Sequence, residues 1–162
     1  VGRSLAAAEI AGVDWTAQHS LADRPRDVPA SLRQLIAART EDEAAAYWGL
    51  DNSVVVQGAL YGAALPVVPV LPAALLDDLS ADARDHVLEL LYQIVAGEAG
   101  EDEAARGSGA LGDRCRAAAR EGLWLVYREL GTRRRDLAEA ILDRVEEDRA
   151  RLAHHRGALR GK

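Results

Sequence analysis

Phenylalanine and methionine are absent from the 162 residues, and cysteine occurs once, at Cys115. Without a second thiol no disulfide can staple the chain, and a lone sulfur cannot hold a metal unaided. A core has to be built mainly from Leu, Val and 32 Ala, with three Trp and four Tyr as the large aromatics. Such a palette suits closely packed helices. Long apolar runs are scarce as well. The longest, residues 65–76, is broken by Pro66, Pro69 and Pro72 and falls short of the roughly 20 residues that a membrane span needs. The start at Val1, followed by the short apolar run 5–10, fits neither a signal peptide nor a span. With one cysteine and no targeting segment, a reducing cytoplasm is the expected compartment. Serine nucleophile elbows and glycine-rich phosphate loops are also missing, so the sequence implies no cofactor and leans away from catalysis.

What is present describes a folded domain of ordinary size. Hydrophobic residues make up 49% and charged residues 28%, with a formal net charge of -6, which excludes a disordered tail. The charge is uneven. Residues 1–105 hold 17 acidic and 6 basic side chains, a net of -11, whereas residues 106–162 hold 9 acidic and 14 basic ones, a net of +5. A basic end can mark a nucleic-acid face. Here its arginines alternate with Glu and Asp, the pattern of a solvated helix, and a nucleic-acid partner is not expected.

Apolar spacing predicts helices at residues 29–38, 41–50, 53–64, 67–79, 81–96, 112–130 and 133–155. In the fifth, Val87, Leu88, Leu91, Ile94 and Val95 form one stripe, Ser80 supplies the cap and Gly97 the stop. Thr132 should cap the last helix. Val54-Val55-Val56 is β-prone but isolated, and its segment is read as helical. Residues 98–112, acidic and glycine-rich, are expected to be a mobile loop.

An internal repeat overlies these segments. Val28-Pro29 and Val68-Pro69 are 40 residues apart, and the same offset places Leu35 on Leu75, Ile36 on Leu76 and Leu50 on Leu90. A further shift of 51 places Leu79 on Leu130 and Leu90 on Ile141. A period near 40 with two helices per unit predicts a single all-α domain over residues 1–162. Its form would be a HEAT-like or armadillo-like right-handed stack of about three helix pairs, with no sheet and an N-terminal cap segment over 1–28. Three or more paired strands would contradict it. Leu35, Leu50, Leu75, Leu88, Leu91, Val126, Leu130, Ile141 and Leu142 should be buried, with Trp15 plugging the open end.

Asp14-Trp15, His19, Asp27-Val28-Pro29, Val56-Gln57-Gly58, Leu60-Tyr61 and Ala64-Leu65-Pro66-Val67-Val68-Pro69 resemble the opening of a family of bacterial, largely actinobacterial, HEAT-repeat proteins. The likeness runs from about residue 14 to 97 and more loosely through 114–130. Val56 stands where relatives often carry a histidine before Gln-Gly. The family's activity is mostly unassigned, and some members accompany toxin systems. The resemblance thus implies a helical repeat fold and an immunity-like or adaptor role.

The densest polar and aromatic group is Trp48, Asp51, Asn52, Gln57 and Tyr61, at a helix junction. These residues are expected either to form a pocket, or to fill and cap the junction, with Trp48 and Tyr61 packing between helices and Asp51 and Asn52 capping the next one. His86, Glu89 and Gln93 fall on one line at i, i+3 and i+7 and are expected on exposed helix surface. His154 and His155 are adjacent, so their rings should diverge. The candidate surface is therefore Trp48, Asp51, Gln57, Tyr61, His86 and Glu89. Two functions are carried forward. One is a non-catalytic module gripping a basic, toxin-like protein on an acidic concave face. The other is a small enzyme or small-molecule binder using the Trp48–Tyr61 pocket, as in a biosynthetic or self-resistance pathway.

Overall fold

Helix α6, Ala81–Ala96, forms where the apolar stripe predicts it: the Ser80 side chain accepts from the Ala83 amide and the helix ends at Gly97. It lies at the centre of the chain's packing. A computed structural model describes residues 4–21, 24–25 and 27–160; parts of the expected cap segment, residues 1–3, 22, 23 and 26, lie outside the described residues. The chain is mostly helical. Before α6 come α1 (Leu5–Ala11), α2 (Asp27–Ala37), α3 (Glu41–Ala44), α4 (Tyr47–Asp51) and α5 (Ala64–Leu76); after it come α7 (Glu101–Ala105), α8 (Leu111–Ala119), α9 (Leu123–Glu129), α10 (Arg135–Val145) and α11 (Arg149–Ala158). Helix α5 packs against α1, α6 and α8, and α6 packs against α2, α3, α4, α5, α8 and α10. All nine residues expected in the core are buried, and Trp15 is buried too, its indole N–H donating to the Ile10 carbonyl over 2.9 Å.

The segment 53–64 is not a helix. Val55–Val56 (β1) and Ala59–Leu60 (β2) form an antiparallel hairpin, and Glu98–Ala99 (β3) adds to β2 in parallel. The turn explains the difference. Gln57 and Gly58 have φ of 49° and 81°, the left-handed pair that a two-residue hairpin turn requires, and a left-handed residue ends helix propagation. The expected absence of a sheet is overturned by these three short paired strands, within a chain that is otherwise mostly helical. Residues 98–112 are likewise more than loop. They carry β3 and α7, and Glu103 is only 3% exposed.

Two expected long helices are broken. Over 112–130 the backbone tightens to a 3-10 turn at Arg120–Gly122, where a β-carbon on Gly122 would lie 2.5 Å from Cβ of Pro72. The proline of α5 thus occupies space that only glycine leaves open. Over 133–155 the break is at Glu146, extended at φ -78° and ψ 116°, and Asp148 restarts the chain by accepting from the Arg151 amide over 2.9 Å. Thr132 does not cap by the expected register; its hydroxyl accepts from the Arg134 amide over 3.1 Å. The 40-residue offset equates α2 with α5; α5 packs on α1, α6 and α8, and α2 on α4 and α6.

Candidate functional site at the α4–α6 junction

Helix α4 is a single short helix whose one-turn spacing puts Trp48 and Asp51 on neighbouring positions. Its first residue, Tyr47, points inward and is 4% exposed, whereas Trp48 is 59% exposed. The His86 ring of α6 stacks on Tyr47, centroids 5.1 Å apart and planes 17° from parallel. Trp48 meets Tyr47 edge-on, at 5.1 Å and 72°. The far nitrogen of His86 lies 3.1 Å from a Glu41 carboxylate oxygen. One turn along α6, Glu89 Oε1 accepts from the Gln93 side-chain Nε2 over 2.9 Å.

Electrostatics link these groups. Burial pushes the Asp51 carboxyl above the ordinary aspartate range, and the Glu89 charge pushes it further. Tyr47 is raised in the same way, first by burial and then by Asp51 and Glu89, so its hydroxyl keeps its proton. The carboxylates of Asp51 and Glu89 thus act in the same direction on the Tyr47 phenol.

Four of the six expected site residues, Trp48, Asp51, His86 and Glu89, meet here. Trp48 does not fill a gap between helices, and Asp51 and Asn52 cap no following helix; the Asn52 side-chain amide instead donates to the Trp48 carbonyl over 2.8 Å. His86 and Glu89 are half-buried against α4 rather than exposed helix surface. Gln57 stands apart, exposed at the hairpin turn. Tyr61 faces His19, with ring centroids 5.5 Å apart, and lines a separate depression of about 250 Å³ with Ala59, Gly100, Glu101 and Asp102. His19 Nδ1 bonds to Glu103, whose Oε1 also accepts from the Gly62 amide over 2.8 Å.

Sequence reasoning missed Tyr47, which carries the stack, and Glu41, which holds His86. An aromatic one residue before an exposed tryptophan was the available signal for the first. Nothing in the spacing pointed to the second, 45 positions from its partner.

The basic third of the chain is largely neutralised internally. Asp85 pairs with Arg133 and Arg134, Glu139 with Arg135, and Asp143 with Arg149 and Arg156. Buried Glu146 accepts from Tyr127 over 2.6 Å, from Arg151 over 2.7 and 2.9 Å, and from the Asp148 amide over 2.8 Å. These bonds, Arg151 first, hold its carboxyl at about 2. Cys115 is buried and its thiol is pushed up to about 12, an inert state. His154 and His155 meet edge-on, their planes 80° apart. Among the described residues no group of three or more His, Cys, Asp or Glu is placed to hold a metal, and no helix is long and apolar enough to cross a membrane.

Compared with family models, curated proteins and solved structures, the chain matches none.

Proposed function

We propose that this chain is a non-catalytic binding module, an immunity-like or adaptor protein of the cytoplasm that grips a basic protein partner with the face around Trp48. The observation carrying this reading is a tryptophan left 59% exposed one turn before Asp51 on α4, edge-on to the Tyr47 ring on which His86 stacks. An aromatic anchor surrounded by one sign of charge suits a partner of the opposite sign. The net charge of -11 over residues 1–105 favours the same partner and disfavours nucleic acid. We take these helix contacts, α5 with α1, α6 and α8 and α6 with α2, α4 and α10, as those of a short HEAT-like stack of the actinobacterial type, interrupted by the hairpin.

The test is affinity capture from the native host with the wild type and with Asp51→Lys/Glu89→Lys, followed by association kinetics of the captured protein. Association that slows as salt rises, and slows further in the variant, supports the reading. A partner indifferent to both contradicts it.

The small-molecule reading has its own observation in the depression beside Tyr61, where a buried Glu103 orients His19. Co-purification of a small molecule that is lost on Tyr61→Ala, with no protein captured, would favour it.

A further inference from the structure

Helix α5 carries no charged or polar side chain anywhere along ALPVVPVLPAALL. A helix apolar all round belongs in a core, covered on every side. Helices α1, α6 and α8 pack on it, yet one stripe lines an open groove of about 240 Å³: Pro69, Pro72, Ala73 and Leu76, spaced i, i+3, i+4 and i+7. Leu76 is left 57% exposed. The other wall repeats the spacing, with Ala118, Gly122 and Leu125 running from α8 through the 3-10 turn into α9. Two side chains interrupt the apolar lining, and both are acidic: Glu9 of α1 and Glu121 of the 3-10 turn. Both are exposed, and neither carboxylate has an ion-pair or hydrogen-bond partner among the described residues. No arginine or lysine lines the groove; Arg128, close to its Leu76 end, donates to the Leu75 carbonyl over 3.2 Å.

We propose that this groove receives an amphipathic helix of a basic partner. The apolar side chains of that helix lie on α5, and lysines or arginines on its flanks reach Glu9 and Glu121. This is a docking surface separate from the face around Trp48, because no residue lining it belongs to α4 or α6. Two arguments select the occupant. Its volume of about 240 Å³ is below the roughly 300–1,000 Å³ of small-molecule pockets, whereas stripes at i, i+3, i+4 and i+7 are what a helix laid in a groove engages. The charges then fix the sign. An acidic helix would meet Glu9 and Glu121 with like charge, and a second copy of this chain, paired by two-fold symmetry, would set the patch against itself and bring the same glutamates together.

The experiment titrates the whole chain into three labelled peptides of about 18 residues, long enough to form a helix, and reads fluorescence anisotropy at one ionic strength. One peptide has leucines on one helical face and lysines on its flanks. The second replaces each lysine with glutamate, and the third scrambles the first so that no apolar face remains. Each variant's fold is checked by circular dichroism. The amphipathic lysine peptide should bind at least about tenfold more tightly than either control. Leu76→Asn and Glu9→Lys/Glu121→Lys, all at exposed positions, should each weaken it about tenfold, while Asp51→Lys/Glu89→Lys leaves it unchanged. Equal binding of a control peptide, or of none of the three, overturns the proposal. So does binding that survives both groove variants but is lost in Asp51→Lys/Glu89→Lys, a result that leaves the Trp48 face standing. A dimer of the chain alone, seen by sedimentation and dissociated by Leu76→Asn, assigns the groove to a second copy and overturns it as well.

Discussion

The imidazole of His86 lies nearly flat on the ring of Tyr47, 5.1 Å between centroids, and so ties α6 to the short helix α4. Removing the imidazole loses both the stack and the bond to Glu41. His86→Ala should lower stability by about 1–2 kcal/mol, as expected for an aromatic pair plus a partly exposed hydrogen bond. Urea unfolding checks it. Trp48→Ala, whose ring is exposed, should change stability by less than about 0.5 kcal/mol, which separates the residue that builds the junction from the one that presents it.

The hairpin turn gives a second prediction. Gln57 holds a left-handed φ of 49°, a conformation costly for most side chains but tolerated by asparagine. Gln57→Asn should stabilise the protein by roughly 0.5–1 kcal/mol, given the Asn-Gly preference of two-residue hairpins. Were the segment helical, the same change would be neutral or destabilising. Thermal unfolding of the pair decides between these signs.

That turn also shows how much of the fold was legible beforehand. Helix α6 could be read because cap, stripe and stop all agreed at Ser80, Leu91 and Gly97, and the core residues followed from the same periodicity. The hairpin was hidden because Val54–Val56 is a short run and Gln-Gly is a weak turn signal next to an alanine- and leucine-rich continuation. A β-branched run followed by any residue and glycine, then Ala-Leu, was the pattern to weigh. Its third strand, 38 residues beyond Leu60 at Glu98, had no local signal. Of the site, Trp48, Asp51, His86 and Glu89 were legible as residues; their convergence depended on α4 packing on α6, which spacing along the chain does not encode.

Acid should reveal the Glu146 cluster. Its folded carboxyl sits at about 2 against an ordinary value of 4.5, so the unfolded chain takes up its proton first as pH falls. The stabilisation is fully present above 4.5 and is lost as pH drops from there toward about 2. Stability measured across this window should fall more steeply in the wild type than in Glu146→Gln, which has no carboxylate to protonate.

Close packing supplies a fourth prediction. Gly122→Ala drives a methyl to within 2.5 Å of Pro72 Cβ, and overpacking of this kind costs about 1–3 kcal/mol. Leu91→Ala, at a site 1% exposed, should cost about 2–5 kcal/mol through cavity formation. Denaturant midpoints report both, and a neutral Gly122→Ala would argue against the close approach of α5 to the 3-10 turn.

Three tryptophans make the binding face directly observable. The indole N–H of Trp15 is buried and bonded to Ile10, Trp124 has the Arg151 guanidinium 5.4 Å from its ring, and Trp48 is exposed beside Asp51. A nitrogen-15 spectrum recorded while a basic peptide of alternating glycine and arginine is added separates the three. The Trp48 indole resonance should shift in a saturable manner, accompanied by the backbone amides of Asp51 and Glu89, with Trp15 and Trp124 unmoved and the response abolished by Asp51→Asn/Glu89→Gln. Shifts centred on Trp124, or a Trp48 resonance that stays in place as the peptide binds, would contradict an acidic, tryptophan-anchored binding face.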